Sequence, residues 1–185
     1  MKPFSSRPRL LAAAIPLAGF CCYGCFDFDA DNNGIHGANN RAMAEVSGYT
    51  DSTLQGTLHF EDEGDSLFVS GTIAGFAPGS LHGIHVHQFG NCEAPDSSGE
   101  HFGAPIESHG NPSDTPDRHH RGDLPNLVVD SLGVGHIEFR TETMTLGNGS
   151  RSALNRSIVV HADTDDYVTQ PDGGSGAKVG CGVIR

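Results

Sequence analysis

Tryptophan is absent from this chain of 185 residues, and three tyrosines and ten phenylalanines are its only aromatic side chains besides histidine. With 25 glycines alongside, that composition favours short strands and many turns over long helices. Basic side chains are as scarce. Lys2, Arg7 and Arg9 lie in the first 25 residues, and the remaining 160 hold 8 Lys and Arg against 23 Asp and Glu, a formal charge of −15. A surface of that sign argues against general nucleic-acid binding and against adhesion to anionic membranes. Long apolar runs are missing too: "LLAAAIPLAGFCCY" has roughly 14 residues, too few to cross a bilayer. No long segment has helical periodicity, and no internal repeat is present.

The short apolar run follows a basic start, "MKPFSSRPR", and the two together read as an export signal over residues 1–25. "CYGC" ends it, and Cys25 stands where a lipoprotein would carry its lipid, although Cys22 occupies a position that is normally aliphatic in such signals. Residues 26–41, "FDFDADNNGIHGANNR", read as a polar tether. The location implied is the periplasm or cell envelope, with membrane contact only through a lipid on Cys25. Beyond the leader the only cysteines are Cys92 and Cys181. In an oxidising compartment such a pair is expected to join. The bridge would close a loop of about 90 residues and contribute roughly 4–5 kcal/mol.

From residue 42 the chain breaks into strand-like runs: "AMAEVSGY", "LQGTLHFED", "SLFVSGTIAGF", "LHGIHVHQF", "LPNLVVDSLGVGHIEFRTETMTL" and "SIVVHAD". Alternation of period two, with turn residues at short intervals, predicts an all-β sandwich or barrel. Residues 90–126 and 162–180 depart from the pattern and read as long functional loops.

Metal chemistry enters with "GIHVHQFGNC". Residues i and i+2 of a strand share a face, so His85 and His87 aim two imidazoles at one point. The loop that follows holds His101, His109, His119, His120 and Asp123, and "SIVVHAD" ends an apolar strand on His161. Imidazoles suit copper and zinc, and three imidazoles with a carboxylate suit tetrahedral zinc.

In these stretches the sequence resembles the copper/zinc superoxide dismutases. "LHGIHVHQFGNC", "GEHF" with "HGNP", "HRGDLPNL", "SIVVHADTDDY" and "QPDGGSGAKVGCGVI" follow that family's motifs in order across residues 42–185. Cys92 five residues after His87, the "GDLPNL" form and the short loop "DDYVTQPDGG" look like the bacterial exported members. The resemblance implies an eight-stranded Greek-key β-barrel with long metal-binding and electrostatic loops. It implies one copper and one zinc per chain, and superoxide as substrate. It assigns His85, His87, His101 and His161 to copper, and His101, His109, His120 and Asp123 to zinc, with His101 bridging and acting in catalysis. His119 is the neighbour that the H-x-G-D spacing passes over. Asp165 matches a carboxylate that links one copper histidine to one zinc histidine. His82 matches a framework histidine, and Cys92 and Cys181 match the family disulfide. Oligomeric state stays open, a homodimer being compatible with the resemblance.

One position departs. Three residues before the last cysteine the family has an anion-guiding arginine, and this chain has Lys178. Lysine keeps the charge and loses the planar donor fork. That change is the one argument for a second reading, a non-catalytic metal buffer or chaperone. A third reading, an adhesion module, rests on "RGD" at 121–123 and on the sequons at Asn148 and Asn155.

Overall fold

The computed structural model describes residues 40–49, 53–104 and 106–185, so the expected leader and most of the tether lie outside the described residues. Among the described residues nine strands run in chain order: β1 (Arg41–Gly48), β2 (Gln55–Asp62), β3 (Leu67–Ala74), β4 (Leu81–His82), β5 (Ile84–His87), β6 (Leu127–Val129), β7 (Val134–Thr141), β8 (Ser157–His161) and β9 (Lys178–Val183). One 3-10 helix, Pro95–Ser98, interrupts the first long loop. The alternation seen in sequence is the alternation of burial. Ala42, Ala44 and Val46 of β1, Leu58 and Phe60 of β2, and Leu67, Val69 and Ile73 of β3 enter one core.

All pairings are antiparallel and join the strands in the order β4-β6-β7-β3-β2-β1-β9-β8-β5. The two ends of that order, β4 and β5, are one chain segment broken at Gly83. The first half pairs with β6 and the second with β8, so the sheet closes on itself. Counted that way the barrel has eight strands, as expected. After β3 the chain crosses to the far side for β4 and β5 and returns through β6 to pair β7 with β3, which is Greek-key winding. Among the described strands closure leaves no free sheet edge of the kind that recruits foreign strands.

The last strand was not foreseen as one. Residues 162–180 read as loop, yet β9 begins at Lys178 and inserts between β1 and β8. Its sequence, KVGCGV, places glycine where an alternation signal needs side chains. Glycine is required there: a Cβ on Gly182 would fall 2.6 Å from the Glu45 carbonyl oxygen of β1. Cys181 of β9 is bonded to Cys92, with Cα atoms 5.6 Å apart. That bond ties the first long loop to the barrel wall.

Candidate metal centre

β5 is the strand on which the centre is built. All four of its residues are buried, because Ile84 and Val86 face the core and the opposite face lies under loops. On one side β5 pairs with β8, with His85 opposite Val159 and His87 opposite Ser157. Opposed residues share a face, so His161, two beyond Val159, joins His85 and His87. On its other side the long loop is bonded to β5. Phe102 N–H donates to the Val86 carbonyl, and Val86 N–H donates to the Gly122 carbonyl, both at 2.8 Å. Isolated bridges pair His87 with His101 and His85 with Asp123. One strand thus gathers candidate ligands 76 residues apart in sequence, from His85 to His161.

Two groups of side chains converge. His85, His87, His101 and His161 form one, and His85, His101, His109 and Asp123 the other; within each, one ligand atom per residue lies within 4.8 Å of the rest. His120 stands at the margin of the second group, its Nδ1 3.4 Å from Asp123 Oδ1. His119, although buried, is turned to the His120 carbonyl, 2.8 Å from its Nδ1, and joins neither group.

The hydrogen bonds fix which nitrogens face inward. His87 Nδ1 donates to the Gly99 carbonyl at 2.9 Å, and His161 Nδ1 donates to the Gly176 carbonyl at 3.1 Å. Each ring then presents an Nε2 lone pair, and these two atoms lie 3.4 Å apart. Two lone pairs cannot satisfy each other; a cation between them can. His85 Nε2 donates to Asp165 Oδ2 at 2.8 Å, and His109 Nε2 donates to Asp165 Oδ1 at 2.9 Å. His85 Nδ1 and His101 Nε2 are buried without a hydrogen-bond partner, and His109 Nδ1 and His120 Nδ1 meet the Asp123 carboxylate, at 3.1 and 3.4 Å. Buried polar atoms are rarely left unpaired, and a convergent set of them fits metal ions. Asp123 supplies the one carboxylate among them, at 0% exposure, with Oδ2 accepting from the Gly110 and His120 amides at 3.1 and 2.9 Å.

Charge separates the groups. Burial, and then the neighbouring His101, pushes His85 down to about 3. Burial pushes His161 to about 4 and His87 well below its usual range. These imidazoles are neutral at pH 7, as metal ligands must be. Burial alone would lower His109 as well, but bonds to Asp123 and Asp165 push it up to about 9. Against the opposing effect of burial, the same histidine contacts hold both carboxyls below the usual carboxylate range.

Several positioning groups had no sequence signal. Asn126 Nδ2 donates to the Asp165 carbonyl and its Oδ1 accepts from the Asp165 amide, each at 2.9 Å. Tyr167 Oη accepts from the Asn126 amide at 2.8 Å. Gln170 grips the His109 backbone through both amide atoms, at 2.9 and 2.8 Å. Only Asn126 was within reach of inference, since it lies inside the "GDLPNL" stretch. His82 is a framework residue, with Nδ1 3.0 Å from the His161 carbonyl. Lys178 is half-buried beside the four-histidine group, as a partner of His161 in the β8–β9 ladder.

Comparison with known proteins agrees with this geometry. The sequence model of the family described as "Copper/zinc superoxide dismutase (SODC)" matches residues 54–184. "Superoxide dismutase [Cu-Zn]" of Candida albicans is 42% identical over 153 residues, covering 78% of this chain and 96% of that protein. "Extracellular superoxide dismutase [Cu-Zn]" of Brugia pahangi is 38% identical over 141 residues, covering 71% and 69%. The solved structure "Crystal Structure Analysis of the clock protein EA4" superposes with a TM-score of 0.70 at 32% identity, covering 80% of this chain and 97% of that one. A β5 strand carrying His-x-His, two convergent nitrogen sets and a match over most of the barrel lead to one conclusion: this chain belongs to the copper/zinc superoxide dismutase family.

Proposed function

We infer that the chain dismutes superoxide, using one copper ion held by His85, His87, His101 and His161 and one zinc ion held by His101, His109, His120 and Asp123. The observation that carries this reading is the convergence of buried ring nitrogens, with His85 Nδ1 and His101 Nε2 lacking any partner and His109 Nδ1 and His120 Nδ1 facing the Asp123 carboxylate. His85 has a single uncommitted nitrogen, so it serves one ion, and the fourth zinc position falls to His120. His101 offers two nitrogens, Nδ1 toward Asp123 at 2.9 Å and Nε2 with no partner, so it suits the bridge.

Copper supplies the one-electron chemistry by which two superoxide anions and two protons become oxygen and hydrogen peroxide, and zinc supplies a charge with no redox chemistry of its own. The protein's part is placement. His101 Nε2 is the atom at which a proton is held and returned, on a ring anchored through Nδ1. Asp165 fixes the rings of His85 and His109 and sets their tautomers. Lys178 attracts the substrate anion into a domain that is otherwise acidic. The loop of residues 162–177 has Asp163, Asp165, Asp166 and Asp172 and no base, so the local cation matters more than the net charge.

A leader over residues 1–25, a disulfide between Cys92 and Cys181 and likeness to an extracellular enzyme of Brugia pahangi support export, which we place in the periplasm or cell envelope. Mass measurement of the mature N-terminus tests the cleavage site and a lipid on Cys25. The adhesion reading loses its support, because Asp123 of "RGD" is wholly buried and Arg121 is bonded to Glu107 at 2.8 Å. The functional test is elemental analysis with superoxide decay followed after pulse radiolysis. One copper, one zinc and accelerated decay are expected. Both metals without acceleration would instead make the chain a metal-binding relative.

A further inference from the structure

Lys178 is the only lysine beyond Lys2; arginine supplies every other basic side chain of the barrel. A lysine ammonium is a compact charge on a flexible stem, and left alone it would sample many positions. Here two acceptors hold it. Lys178 Nζ donates to the Gly99 carbonyl at 2.7 Å and to Ser98 Oγ at 3.1 Å. The Gly99 carbonyl is the same atom that accepts from His87 Nδ1 at 2.9 Å. Ser98 is wholly buried at the end of the 3-10 helix, and its hydroxyl donates in turn to the Pro95 carbonyl at 3.1 Å. The turn depends on Gly99, whose φ is 74° and whose Cβ, if present, would fall 2.7 Å from the Phe89 ring. The same segment is bound to β9 again through Cys92 and Cys181, three residues beyond Lys178.

We propose that Ser98 is a positioning residue for anion capture: with the Gly99 carbonyl, its hydroxyl fixes where the Lys178 ammonium stands beside the copper-side histidines. Two of the three N–H donors of the ammonium are committed in this way, and the third remains for the anion. The serine supplies the second anchor that a single-pronged lysine lacks and that an arginine fork would carry within itself. The proposal rests on the reading of Lys178 as the group that draws in the substrate.

The test uses the full chain labelled with 15N-lysine, loaded with zinc and free of copper. The Nζ signal that disappears in Lys178→Arg should exchange its protons slowly in the native chain and fast in Ser98→Ala. Azide, titrated into the copper- and zinc-loaded protein and followed by visible absorbance, should bind about threefold more weakly in Ser98→Ala, the cost of one lost anchoring bond. In a Lys178→Ala background the serine change should have no further effect. Unchanged azide affinity in Ser98→Ala, with Lys178→Ala still weakening it, overturns the serine proposal alone. An equal shift in both backgrounds overturns it as well, because the serine would then act through the fold. No effect of Lys178→Ala on azide removes the lysine reading together with the proposal. Should Ser98→Ala not fold, exchange in the native chain decides: fast exchange of the Lys178 ammonium means that it is not held.

Discussion

In the proposed assignment the copper and zinc groups share His101 and are otherwise built on opposite electrical terms. On the copper side four imidazoles stand with no carboxylate among them; burial holds His85, His87 and His161 neutral, and acceptors behind these three rings fix them. On the zinc side Asp123 carries a full charge that three histidines approach, and His109 is pushed up by the carboxylates around it. A neutral set leaves the charge of its ion free to change by one unit without a fixed counter-charge favouring the higher state. A set with a buried carboxylate holds a fixed dication firmly. In this reading the division of labour between a redox ion and a structural one is expressed in where the fold places Asp123.

Removing that carboxylate is the strongest way to break the contrast. Asp123→Ala is expected to weaken zinc by more than about a hundredfold and copper by less than tenfold, since even groups that only brace ligands cost 10–100-fold. Chelator competition titrations measure both, and equal losses would mean that Asp123 holds the loop and not the ion. Asp165→Asn strikes both sides at once, because its two oxygens brace one histidine from each group. A loss of about 10–100-fold is expected for each metal, and confinement of the loss to one metal would contradict the shared brace. Lys178→Ala should lower the dismutation rate about tenfold at low ionic strength, or roughly 1.4 kcal/mol, and by less at high salt. Lys178→Arg should preserve the rate. Pulse radiolysis across a salt series checks both, and a rate insensitive to Lys178→Ala at every salt concentration removes this residue from the anion path.

The smallest effect is in the metal-free chain. His85 at about 3 and His161 at about 4 lie below their unfolded value of about 6.5, so the unfolded chain binds more protons and stability falls as pH drops below that value. His109 at about 9 has the opposite sign, and its contribution is lost as pH rises from about 6.5 through 9. Thermal melts of metal-free protein should therefore peak near pH 6–7, with the steeper fall on the acid side, and loading both metals should flatten the alkaline limb. A melt that is level between pH 4 and 6 would show that these histidines are not buried neutral.

What the sequence made legible follows from period. β1, β2, β3 and β7 announce themselves by alternation and β8 by its apolar run, and His85 and His87 share a face by the same period of two, so strand and site are legible together. β9 did not, because Gly180 and Gly182 remove the side chains that carry the signal. The grip of Asn126, Tyr167 and Gln170 on Asp165 and His109 has no period at all. Polar loop residues find their partners through the path of the chain, here across separations of 39 to 61 residues. Ser98 was hidden for the same reason. Its relevance depends on a strand 80 residues away that carries the lysine.

Asp165 has a thermodynamic consequence. Its Oδ2 takes the proton-bearing nitrogen of His85 and its Oδ1 that of His109, so each oxygen settles best when the ring it holds is committed to an ion. On the proposed ligand assignment, any coupling that this carboxylate carries between the sites must be mutual: whatever factor zinc adds to the affinity for copper, copper must add to the affinity for zinc.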